Sequence, residues 1–187
     1  HVFRNDLNAY SGGGFSGFLK HNGKLWMYGR MDTIGNVITN NIATFDGNNF
    51  GVVPAIPVNN PSAIINMTAY KNKLIALGTF YDSPSLNFNK IAQFDGTSWS
   101  QMGLGVRGNL TFAWDLAEYR DTLYIAGNFA KADGNVGNMI MKWDGNQLLD
   151  AGFGGWCGFG AIYRLIEFKN RLYAFGAFDC AANQKAF

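Results

Sequence analysis

Leu123-Tyr124-Ile125-Ala126-Gly127 decides the fold, because the chain writes it four times. Leu25-Trp26-Met27-Tyr28-Gly29 and Leu74-Ile75-Ala76-Leu77-Gly78 precede it, and Leu172-Tyr173-Ala174-Phe175-Gly176 follows it, each 49 residues from the last. A second block keeps the same step: Ile42-Ala43-Thr44-Phe45-Asp46-Gly47, Ile91-Ala92-Gln93-Phe94-Asp95-Gly96 and Ile140-Met141-Lys142-Trp143-Asp144-Gly145. Two blocks held in one register mark a single supersecondary unit written repeatedly.

The signals inside each unit are those of strands. Leu19 to Tyr28 straddles His21-Asn22-Gly23, and Asn-Gly between apolar alternations is a strong hairpin signal. Lys71-Asn72, Arg120-Asp121 and Lys169-Asn170 hold the same place in the later units. Each Asp-Gly turns the chain into another short strand, such as Ser98-Trp99-Ser100-Gln101. Four strands, A to D, are expected per unit; in the first they span about 16–21, 24–30, 39–45 and 49–54. No window sustains a 3.6-residue period, and 24 glycines weigh against helix.

Four antiparallel strands repeating at this interval imply an all-β fold, a β-propeller, here about three and a half four-stranded blades. The units run over about 16–64, 65–113, 114–162 and 163–187 of one partial domain. One blade cannot bury both faces; stacking blades around an axis does. Phe45, Phe94 and Trp143 are therefore expected between blades. The glycines at 29, 78, 127 and 176 end strand B, where a residue without Cβ permits a bulge or a close backbone approach.

Composition narrows the class. The 187 residues are 48% hydrophobic and 15% charged, which fits a packed domain and not a disordered chain. Net charge is +2 with Lys and Arg scattered, so nucleic acid is not an expected partner. No apolar run approaches the ~20 residues of a membrane span. The last unit has strands A and B before Phe187, and the expectation is that further blades or domains belong to the same polypeptide.

Leu123-Tyr124-Ile125-Ala126-Gly127-Asn128-Phe129, then Asn138, then Trp143-Asp144-Gly145, resembles the kelch-like "LYxGGxF…NIAxWDGxxW" repeats of large secreted and cell-surface propellers. The resemblance covers about residues 16–187. Where that family has a Gly-Gly doublet, this chain has Gly29-Arg30, Gly78-Thr79, Gly127-Asn128 and Gly176-Ala177. Members include bacterial surface proteins, often exported by the type IX route, and fungal cortical polarity markers. The resemblance implies an extracellular or cell-surface location and an adhesive or other interaction role.

Candidate constellations each carry a structural and a functional reading. The repeated Asp-Gly pairs read as self-capping turns in preference to metal or acid–base groups. Asp115, Glu118 and Glu167 on strands A read either as blade structure or as a polar lining of a central channel. Asp133-Gly134-Asn135 loosely resembles a calcium loop but lacks its alternating ligands. Asn66-Met67-Thr68 and Asn109-Leu110-Thr111 match the N-glycosylation pattern, the first within a strand. No metal site, catalytic set or cofactor is expected.

Cys157, in the link between blades, and Cys180, after strand B of the last unit, fall by topology on one face. With the oxidising exterior that the resemblance implies, they are a disulfide candidate, free thiols being the alternative.

The leading functional expectation is a module that binds a protein or glycan through its B-to-C loops, about 30–38, 79–88 and 128–137. Tyr81, Asp82 and Phe88 in the second loop, with Trp156 on the neighbouring link, are the candidate contacts. The alternative is the propeller domain of a secreted carbohydrate-active enzyme whose catalytic residues lie outside this chain.

Overall fold

The computed structural model describes residues 13–35, 37–58, 63–80, 88–152, 160–178, 180–181 and 184–185. They form an all-β fold of four-stranded antiparallel sheets. The chain runs through β1 (Gly14–His21), β2 (Lys24–Arg30), a small hairpin of β3 (Thr33–Ile34) and β4 (Val37–Ile38), β5 (Ile42–Phe45) and β6 (Phe50–Val52). Strands β1-β2-β5-β6 make the first sheet. The second is β7 (Ile64–Tyr70), β8 (Lys73–Gly78), β9 (Ile91–Phe94) and β10 (Trp99–Gln101). The third is β11 (Ala113–Tyr119), β12 (Thr122–Gly127), β13 (Ile140–Trp143) and β14 (Leu148–Asp150). A 3-10 turn at Lys131–Asp133 separates β12 from β13. Then come the pair β15 (Ala161–Phe168) and β16 (Arg171–Ala177) and a hairpin of β17 (Cys180–Ala181) and β18 (Gln184–Lys185). That hairpin stands three 49-residue steps from β3–β4. No helix among the described residues is long and apolar enough to cross a membrane.

The expected turns at 22–23, 71–72, 120–121 and 169–170 are all present, and both residues of each have positive φ, from 46° at Lys71 to 72° at Gly23. Two left-handed residues give the type I′ geometry whose twist matches the strands it joins. The Asp-Gly turns also form as read. Asp46 Oδ1 accepts from the N–H groups of Asn48 and Asn49 at 2.8 Å each, and Asp95 and Asp144 repeat the arrangement. Strand C begins later than expected, at Ile42. The residue before it is left-handed in every sheet (Asn41 φ 72°, Lys90 φ 63°, Met139 φ 59°), and this breaks the extended run.

Each first strand carries a bulge, between Phe15 and Gly17, Ile64 and Asn66, Ala113 and Asp115, and Ile162 and Arg164. The repeated glycine of strand B lies opposite. A Cβ on Gly127 would overlap the Phe112 carbonyl oxygen, and one on Gly176 that of Ala161. The close approach fixes glycine there.

The sheets pack face to face in series. Trp26, Tyr28 and Ile42 of the first meet Leu74, Ala76, Ala92 and Phe94 of the second. Ile75, Leu77 and Ile91 of the second meet Leu123, Ile125, Met141 and Trp143 of the third. Ala126 and Ile140 of the third meet Leu172 and Ala174 on β16. Each sheet thus has a trailing face toward its predecessor and a leading face toward its successor. The first strands β1, β7, β11 and β15 adjoin in that order.

Phe94 and Trp143 are buried between sheets as expected. Phe45 differs: it is half-buried and packs against Phe50 at 5.0 Å, with Met27, Met31 and Ile34 nearby. It sits on the trailing face of the first sheet, which has no preceding sheet among the described residues.

Candidate functional site

Strand B ends and strand A begins at one end of every sheet, so the B-to-C loops and the starts of the first strands share that end. Four residues hold one register position just past the bulges: Gly17, Asn66, Asp115 and Arg164. They form a column across the adjoining first strands. Asn66 Nδ2 donates to Asp115 Oδ1 at 2.7 Å, and Arg164 Nη1 donates to the same oxygen at 3.3 Å. Asp115 Oδ2 accepts the Leu165 backbone N–H at 2.6 Å. Asp115 is buried and its guanidinium partner is largely exposed.

The column opens into a cleft of about 620 Å³, whose walls include Met67, Leu116, Ile166 and Phe175. Asp115 lines it. Glu118 and Glu167 do not belong to its lining; they are exposed, and Glu167 accepts the Asn170 N–H at 2.7 Å to cap a turn. In the first sheet Tyr28 takes over this position: its hydroxyl lies over Gly17, where a Cβ would meet it. Burial raises the Tyr28 pKa, with a Met67 backbone hydrogen bond acting against it.

Beside the column runs a row of rings. Phe112 stacks on Trp114 at 6.0 Å and 14°, and Trp114 meets Tyr163 at 5.1 Å and 50°. Phe112 and Tyr163 are exposed and Trp114 is half-buried. Trp114 and Tyr163 are one 49-residue step apart, each immediately before a column residue.

Side-chain to backbone hydrogen bonds tie down the link that leads into this row. Asn128, the first residue after β12, accepts the Phe112 N–H at 2.5 Å and donates to the Leu110 carbonyl at 3.1 Å. Asn135 donates to the carbonyls of Arg107 and Ala130 at 2.9 Å each and accepts the Arg107 N–H at 2.8 Å. Asp133-Gly134-Asn135 is thus a clasp between loop and link. Lys90 Nζ donates to Gly108 at 3.0 Å and Val106 at 3.3 Å, and its burial lowers its pKa, with the Asp133 charge acting the other way.

Of the residues singled out in the sequence, Tyr81, Asp82, Trp156 and Cys157 lie outside the described residues, as does the Cys180 side chain. Phe88 is described, and it is 6% exposed within the core shared by the first two sheets. Its ring seals that core and presents no surface to a ligand. Asn66 of the first glycosylation pattern has its amide committed to Asp115. The aromatic row escaped the sequence reading, although two aromatics at one repeat position were a signal for it.

The arrangement suits recognition. Aromatic rings stand next in the chain to a column that opens into a cleft and includes an exposed guanidinium, while the buried carboxylate is consumed by three hydrogen bonds. Compared with known proteins, the chain matches no family model and no curated protein.

Proposed function

We propose that the chain is part of a kelch-like β-propeller that serves as an extracellular or cell-surface interaction module, binding a protein or glycan and not catalysing a reaction. The propeller reading rests on the serial face-to-face packing, the adjoining first strands and the 49-residue step. The extracellular reading rests on the resemblance of the repeats.

The observation that carries the binding role is the Phe112–Trp114–Tyr163 row, whose last two rings immediately precede the column residues Asp115 and Arg164. Of the two ligand classes the glycan fits it better. Rings packed on one another, the first with its backbone N–H held by Asn128, offer flat apolar faces at little cost in side-chain ordering, which suits the C–H face of a sugar ring. The largely exposed Arg164 guanidinium, next to Tyr163 in the chain, offers donors for hydroxyl oxygens. Asp115 acts in this reading as a cross-link, since both of its oxygens are engaged.

The test is a glycan array followed by titration of intrinsic tryptophan fluorescence. A saturable change is expected with at least one glycan class, weakened about tenfold or more by Tyr163→Ala. Because Tyr163 is exposed, its removal leaves the core intact. Unchanged binding by Tyr163→Ala and Trp114→Ala proteins would remove the row from the site.

A further inference from the structure

The chain writes the Asn-X-Thr pattern at Asn66 and at Asn109, and the fold treats the two asparagines oppositely. Asn66-Met67-Thr68 lies inside β7. Asn66 is half-buried and its amide is spent on β11: Nδ2 donates to Asp115 Oδ1 at 2.7 Å and reaches the Trp114 carbonyl at 3.5 Å. A sugar on this nitrogen would take one of its hydrogens and put a bulky ring between β7 and β11, which adjoin.

Asn109-Leu110-Thr111 lies in the link between β10 and β11, far from either end of the chain. The link is closed at its base. Asn135 holds the N–H and the carbonyl of Arg107, and Asn128 holds the carbonyl of Leu110 and the N–H of Phe112. Thr111 is buried, and its hydroxyl bonds to the carbonyls of Arg107 and Gly108 at 2.9 and 2.8 Å. Such local side-chain bonds hold a turn without help from a strand ladder. Gly108 has φ 115°, and a Cβ there would overlap Thr111 Cγ2. The base therefore needs glycine at 108 and a β-hydroxyl at 111, and it asks nothing of the side chain at 109. Asn109 is carried in the turn above it, exposed and with no side-chain hydrogen bond among the described residues. Leu110 beside it is 83% exposed, which gives a sugar ring an apolar neighbour.

We propose that Asn109 carries an N-linked glycan in the exported protein and that Asn66 stays bare. This rests on the extracellular reading, because only an exported chain meets the sugar donor. The donor is a lipid-linked diphosphate oligosaccharide. Asn109 Nδ2 bonds to C1 of the first sugar, the C1–O bond to the diphosphate breaks, the lipid diphosphate leaves and the amide gives up one proton. Transfer acts on a chain that is still extended, so both asparagines are reachable at that stage. Folding then selects. A chain modified at Asn109 closes the link unhindered, and one modified at Asn66 cannot bring β7 against β11.

The full chain, sent through a eukaryotic secretory route by a cleavable leader, tests this. Protein recovered from the medium is expected to exceed the 20.6 kDa polypeptide by the mass of one glycan. Peptide-N-glycosidase leaves aspartate where a glycosylated asparagine stood. Peptide mass maps after its action are expected to show aspartate at 109 and asparagine at 66. Asn109→Gln is expected to emerge without a glycan and with an unchanged circular dichroism spectrum. A bare Asn109, or a glycan on Asn66 in folded protein from the medium, would overturn the proposal. Where the chain is held inside the secretory route, the same map of that pool decides the matter at Asn109, since transfer precedes folding. The leader imposes export, so a bare Asn109 counts against this site alone. The extracellular reading fails on a different result, the natural chain found inside its own cell.

Discussion

Tyr70 and Asp121 are 51 residues apart in the chain, and the hydroxyl of the first is bonded to the carbonyl of the second at 2.7 Å. The bond spans two sheets and sits where the core cluster meets solvent. A turn carbonyl of one sheet is thereby satisfied by its neighbour. Tyr70→Phe keeps the buried ring and removes this bond and the weaker one to Trp143. It is expected to cost about 1 kcal/mol in urea unfolding, the usual worth of such a bond, and Tyr119→Phe at the more exposed counterpart less.

Gly127→Ala tests the close approach behind each bulge. The added methyl would overlap the Phe112 carbonyl oxygen, which belongs to backbone and cannot swing aside. A loss of about 1–3 kcal/mol is expected, in the range of overpacked positions. Gly14→Ala meets nothing within 4 Å and should be close to neutral. Equal effects from the two would show that the bulge tolerates a side chain.

Asp115 and Arg164 share a hydrogen bond but not an environment. Asp115→Leu leaves the Leu165 N–H without its acceptor, at an expected cost of about 1–3 kcal/mol. Arg164→Ala removes an exposed partner and should cost below about 1 kcal/mol. The asymmetry is the prediction, read from denaturation midpoints at constant slope.

The acid limb of stability is expected to trace to the three Asp-Gly turns. Backbone N–H bonds hold the pKa values of Asp46, Asp95 and Asp144 below the ordinary value of 3.8. A carboxylate depressed on folding stabilises fully above its unfolded-state pKa and loses that contribution as pH falls through the folded one. The thermal midpoint should therefore decline below about pH 4. The triple Asp→Asn protein, which keeps one acceptor oxygen per turn, should show a flatter decline in the same pH scan.

Much of this was readable from the residues because it was local. Asn22-Gly23 and its counterparts fix two left-handed residues, and Asp46-Gly47 caps itself, whatever lies nearby. What depends on neighbours was less readable. Phe45 shares its block with Phe94 and Trp143, yet a trailing face needs a sheet behind it. Phe88 is in a loop by sequence and in the core by packing, where it joins the cluster shared by the first two sheets. The β3–β4 hairpin is too short to carry an alternation. Trp114 and Tyr163 meet only once β11 and β15 adjoin, so the row was invisible to a reading that sought contacts in loops.

The column of Gly17, Asn66, Asp115 and Arg164 also bears on how the chain avoids misassembly. Units of near-identical apolar pattern invite a strand to dock one unit out of place, a trap that the cores alone would barely penalise. The column is the part of the interface that differs from unit to unit. A chain slipped by one unit would part Asp115 from the Asn66 and Arg164 side chains that meet it in the correct order.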